Sequence, residues 1–175
     1  MYGLFKLSVS KNKHAVSLYC SLVRQARQPF FHEEWDVPDT PDGRYDMIMI
    51  HAFLLLHRLK NDRKDTKEIS QAVFDLMFAD MDKNLREMGG GDVGIGHRVK
   101  DMAKAFYGRI AAYEDGLTRN DNGLEDAIKR NVYRNSSVER AKIEGLSNYI
   151  RNEVSILNAQ PTSAFLNGKL IFSNP

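Results

Sequence analysis

Thirteen consecutive residues, Met47–Leu59, carry no polar face: only His51, His57 and Arg58 interrupt the apolar side chains. The longest apolar run, Met47–Leu56, is interrupted by His51 and is about half the roughly 20 residues a bilayer crossing needs. A water-exposed helix keeps one polar side, so a helix apolar all round belongs at the centre of a bundle. Everything else in the chain has to supply its walls.

The flanking segments have the right periodicity. Ala15, Leu18/Tyr19, Leu22 and Ala26 recur at three and four, and Cys20 reads as part of the same buried stripe. Phe74, Phe78, Met81, Leu85 and Met88 step likewise, with Asp65 or Thr66 as the helix cap and Gly89-Gly-Gly as its end. Val99, Met102/Ala103, Phe106, Ile110, Tyr113 and Leu117 form another stripe. A short helix is expected around Leu124–Tyr133. A long one follows through Ile143, Leu146, Ile150, Val154 and Leu157, starting at Ser136 or Ser137 and ending at Pro161. An extended Leu-Ile-Phe piece fits the segment 164–172. The expectation is an all-α fold: a single bundle-like domain over residues 1–175 with five to seven helices.

Between the first two helices lies a different composition. Pro29, Pro38, Pro41 and Gly43 make residues 29–43 read as a long Pro-rich loop, with Pro-Asp-Thr-Pro-Asp-Gly as turn chemistry. This segment holds Phe30, Phe31 and Trp35, which either fold back on the core or anchor a partner. Charge also changes sign here. Residues 1–32 carry five bases and no acid, whereas residues 33–46 carry six acids and one base. Pairing between these neighbouring segments is the simpler reading. Net charge is only +2, and no nucleic-acid module is present, so no specific nucleic-acid partner is expected.

Chemistry-bearing patterns are sparse. Asp80, Asp82 and Asn84 open like a calcium loop, but Leu85 replaces the turn glycine and Gly91 the closing glutamate. Gly89–Gly94 matches a dinucleotide fingerprint in letters, yet a helix rather than a strand precedes it. The five histidines have no metal-ligand spacing, and His51 reads as a hydrogen-bonded core residue. No metal, cofactor or catalytic triad is expected. The single cysteine excludes an internal disulfide. The start of the chain reads as neither secretory signal nor presequence, giving the expectation of a cytoplasmic protein.

Several stretches together resemble one family. They are Leu18-Tyr, Gln25-Ala-Arg27, Val37-Pro-Asp-Thr-Pro-Asp-Gly-Arg-Tyr-Asp46, His51, Arg58-Leu and Phe74-Asp-Leu-Met-Phe-Ala-Asp-Met-Asp82. Leu85-Arg-Glu-Met-Gly89, Asp92, Phe106-Tyr-Gly-Arg109 and Tyr113 complete the set. Over residues 14–117 the chain resembles the ubiquinol–cytochrome c chaperone family. The resemblance implies a non-enzymatic assembly chaperone that binds newly made cytochrome b and promotes assembly of ubiquinol–cytochrome c reductase. It implies as partners a small helical protein and the translating ribosome, with peripheral association at the inner face of a bacterial inner membrane. Residues expected at the client or partner surface are Phe30, Phe31, Trp35, Asp39, Asp42, Arg44, Arg86, Glu87, Asp92, Tyr107 and Arg109. Arg44 is expected to pair with Asp46 or Glu87. Two rival readings are a translation regulator that binds ribosome or RNA through the basic first segment, and a helical enzyme. The enzyme's site would lie near Asp42, Arg44, Arg86, Glu87, Tyr107 and Arg109.

Overall fold

The computed structural model describes residues 13–87, 92–119, 121–134 and 136–175. Among the described residues the fold is all-α. Five helices make the body: α1 (Lys13–Ala26), then α3 (Pro41–Lys60), α4 (Arg63–Glu87), α5 (Asp92–Thr118) and α7 (Arg140–Ala159). Shorter pieces join them: α2 (Phe30–Glu33), α6 (Gly123–Ile128), a π-helical turn at Lys129–Tyr133, and α8 (Thr162–Leu166).

Helix α3 is the axis. It packs against α1, α4, α7 and the π turn. Met47 to Leu55 are all buried without a break. Three polar side chains on α3 are buried with them, namely Asp46, His51 and Arg58, and each is answered from outside the helix. His51 Nδ1 bonds the Met47 carbonyl at 2.8 Å, and its Nε2 meets the Tyr149 hydroxyl of α7 at 2.9 Å. Arg58 donates to the Leu157 carbonyl at 3.0 Å, the Gln160 carbonyl at 2.9 Å and the Thr162 hydroxyl at 3.2 Å, and it pairs with Asp62 at 2.7 Å. It thereby adds donors to carbonyls at the end of α7 and just beyond it, where a cation also suits the helix dipole. Its guanidinium lies over the Phe165 ring of α8.

The structure revises several sequence expectations. The Pro-rich stretch is not one loop: α2 interrupts it, and Pro41-Asp-Gly is the first turn of α3 rather than a free turn. Pro41 sits where a missing N–H costs nothing, and Thr40 Oγ1 accepts from Gly43 N at 3.1 Å as the cap. Helix α4 begins at Arg63, ahead of the expected cap, because Thr66 is buried and turns its hydroxyl back to the Leu59 carbonyl at 2.6 Å. The deepest line of α4 is Ile69, Val73, Met77 and Met81; Phe74 is shifted to the flank that faces α5. Helix α7 starts at Arg140, later than Ser136 or Ser137. The first residues of segment 164–172 belong to the short helix α8, while the expected Leu-Ile-Phe piece, residues 170–172, lies beyond it and has no regular secondary structure. Cys20 is exposed rather than buried, one position round from the stripe of Ala15, Leu18, Tyr19, Leu22 and Ala26. The expected helix end at Gly89-Gly-Gly lies outside the described residues.

Leu55, wholly buried on α3, sets a direct test of the central helix. Leu55→Ala should cost about 2–5 kcal/mol by urea unfolding. His51 sets another. Burial pushes its pKa down to about 4, so below pH 6.5 the unfolded chain takes up a proton that the folded chain refuses. Stability from this group should drop by about 1.4 kcal/mol per pH unit between 6.5 and 4. The stability gap between wild type and His51→Gln should therefore narrow as the pH is lowered from 7 to 5.

Candidate functional site

The residues singled out by the sequence fall into three groups in space. The first lies at the start of α3. Gly43 is buried, and a Cβ there would stand 1.9 Å from the Pro38 carbonyl oxygen. Only glycine lets the preceding chain cross the first turn of α3 so closely. Arg44 bonds Asp39 across the cap at 2.6 Å, and both side chains are more than half exposed. This corrects the expected pairing with Asp46 or Glu87: Arg44 points outward, while Asp46 points into the protein. The Arg44 guanidinium holds the Asp39 carboxyl below its usual range. Asp42, in the same turn, is exposed.

The second group is a buried ion-pair node. Asp46 is 1% exposed. It accepts a hydrogen bond from Arg109 of α5 and ion-pairs with Arg134 at 2.7 Å. Two motifs far apart in sequence, Asp-Gly-Arg-Tyr-Asp46 and Phe-Tyr-Gly-Arg109, thus meet as one contact between α3 and α5. Tyr45 donates to Met81 Sδ beside it, and Tyr113 is buried on α5. Sequence gave no sign of Arg134. It follows the π turn, adopts φ 51°, and closes that turn through its N–H to the Lys129 carbonyl at 2.8 Å. A non-glycine residue held there stores strain of about 1–3 kcal/mol, which the ion pair helps to offset. Burial pushes the Asp46 carboxyl up to about 6 against the pull of the two guanidiniums.

The third group is aromatic. Phe31 is fully buried, its ring 5.5 Å from His51 and 5.2 Å from Tyr149. Trp35 is half-buried and packs on Phe30, Phe31 and Tyr149 at 5.0, 5.7 and 5.6 Å. Gly145 makes room for it, since a Cβ at that position would lie 2.6 Å from Trp35 Nε1. Of the two alternatives for this segment, folding back on the core is the one the structure takes for Phe31.

The remaining residues are spread over other surfaces. Arg86 bonds Asp82 at 2.7 Å and Glu87 lies 3.8 Å from Lys83, both within α4. Arg44, Arg86, Glu87 and Arg109, expected together at an enzyme site, are therefore distributed among separate ion pairs. The Asp92 side chain lies outside the described residues. Tyr107 is 60% exposed and lies against Phe74, with ring centres 5.7 Å apart. Asp80 accepts from the Tyr19 hydroxyl at 2.8 Å, so the apparent calcium motif lies along a continuous helix. Among the described residues no group of His, Cys, Asp or Glu is placed to hold a metal ion. No helix among them is long and apolar enough to cross a membrane.

An all-helical body whose shared motifs are spent on a helix cap, an interhelical ion pair and an aromatic layer is the class of molecule the geometry defines. The model of the ubiquinol–cytochrome c chaperone family matches residues 33–172, and the chain belongs to that family. The frog (Xenopus laevis) ubiquinol-cytochrome-c reductase complex assembly factor 1 is 24% identical over 90% of this chain and 76% of its own length. The mitochondrial protein CBP3 of Saccharomyces cerevisiae is 24% identical over 83% of this chain, but the match spans only 45% of the yeast protein. The crystal structure of the Cbp3 homolog from Brucella abortus is 34% identical, with a TM-score of 0.85, covering 98% of this chain and 95% of that one.

The buried node yields a quantitative expectation. Asp46→Ala strands Arg109 and Arg134 without their carboxylate, and should cost about 3–5 kcal/mol in urea unfolding. Arg44→Ala, by contrast, should leave the melting midpoint close to wild type, because its partner and itself are both solvated.

Proposed function

We propose that this protein is an assembly chaperone for ubiquinol–cytochrome c reductase, and that its client is newly made cytochrome b. The observation that carries the reading is the likeness to the Brucella abortus Cbp3 homolog over 98% of the chain. The assembly-factor names of the vertebrate relatives supply the complex concerned. The protein works by binding, without catalysis. Partner contacts fall on the exposed members of the motif set, above all Tyr107 beside Phe74, where an aromatic anchor is already outside the core. A small helical partner, the ribosome and the membrane face at which cytochrome b is inserted are further contacts on this reading.

The test is a strain lacking the gene. Loss of assembled reductase and of spectrally detected haem b, both restored by the wild-type gene, is the expected result; normal levels of both would end the proposal. In the restored strain, Tyr107→Ser should keep the wild-type melting temperature while lowering recovery of cytochrome b with the tagged chaperone.

A further inference from the structure

Beyond α8 the chain has no regular secondary structure, yet Phe172 and Ser173 are held against α1, α3 and α7. The manner of holding is unusual. Gln160, at the end of α7, uses its amide as another strand would use its backbone. Its Oε1 accepts from the Ile171 N–H at 3.1 Å, and its Nε2 donates to the Ile171 carbonyl at 2.7 Å. Two residues further on the arrangement repeats with different side chains. Glu153 accepts from the Ser173 N–H at 2.9 Å and from its hydroxyl, while Gln25 Nε2 donates to the Ser173 carbonyl at 2.8 Å. Alternate main-chain units of an extended segment are thus each read twice.

The intervening side chains turn inward. Leu170 is buried, and the Phe172 ring sits edge-on to His51 at 5.2 Å. Ile171 faces away, 66% exposed. Main-chain contacts at every second residue with apolar side chains between them are the features by which proteins bind extended peptides of loosely defined sequence. The groove also has an unspent group. Glu153 is fully buried, and its Oε2 has no donor among the described residues. A buried carboxylate oxygen left open costs free energy, and an incoming donor would recover it.

We propose that the groove between α1, α3 and α7 is a binding site for an extended, apolar segment of a partner protein, and that residues 169–175 fill it as an internal stand-in which the partner displaces. The proposal adds a site to the chaperone reading and rests on that reading only for the partner's identity. It is tested without reference to reductase assembly, so its failure would leave that reading standing.

The probe is a fluorescent heptapeptide with the sequence of residues 169–175. The host is the full chain carrying Leu170→Ser and Phe172→Ser, which frees the groove. If this variant keeps the wild-type helical signal, it should bind the peptide saturably at one site, at least tenfold more tightly than wild type does. A peptide with serine at both inward positions should bind at least tenfold more weakly. A helical variant that binds neither peptide overturns the proposal. So does the appearance of stable dimers of the wild-type chain held by exchanged straps, which would make a second copy the occupant. If the variant does not fold, hydrogen exchange on the wild type decides. Release of the strap requires the Ile171 and Ser173 amides to exchange at least a hundredfold faster than those of α3. Equal protection makes the segment a fixed part of the core and overturns the proposal.

Discussion

A helix buried on every side can keep a polar side chain only if a neighbour answers it. Helix α3 keeps three, and that constraint fixes the arrangement of the rest. Asp46 fixes where α5 and the chain after the π turn must lie, through Arg109 and Arg134. His51 fixes the rotation of α7 by demanding the Tyr149 hydroxyl. Arg58 fixes the end of α7 and the placement of α8, through the Leu157 and Gln160 carbonyls and Thr162. Apolar packing alone tolerates sliding between helices; these three contacts do not, because a one-turn shift would strand a buried charge or ring nitrogen.

The same logic explains why the family's motif residues lack a common chemical centre. Gly43 admits the Pro38 carbonyl, Asp46 and Arg109 join two helices, and Arg58 closes a third. Each does structural work at a different place. What these residues fix is the relative position of the helices, and with it the shape of the surfaces between them. For a protein proposed to act by binding, a constant shape is the relevant output.

Much of the fold was legible because helical periodicity is a local signal. The central position of Met47–Leu59 followed from its lack of a polar face, and the stripes on α1, α5 and α7 followed from spacing. What escaped was whatever depends on contacts distant in sequence. Cys20 adjoins the buried stripe in letters but points outward, and nothing local distinguishes the two. By spacing alone Phe74 leads the inner line of α4, yet α4 packs on α1 and α3 and also on α5, which divides its apolar residues. Arg134 was invisible because its role depends on a π turn and a positive φ, neither of which its sequence context announces. Glu153 and Gln160 look like ordinary polar positions on an amphipathic helix; only the path of the chain beyond α8 gives them a task.

The sole tryptophan has an optical consequence. Trp35 rests on Tyr149, and Tyr149 accepts from the same Gln25 amide that holds the Ser173 carbonyl. Two residues, Tyr149 and Gln25, therefore link the indole to Ser173. Its emission is a built-in gauge of the aromatic layer: a rearrangement there changes the colour and intensity of a single native fluorophore, with no label attached and no second indole to dilute the signal.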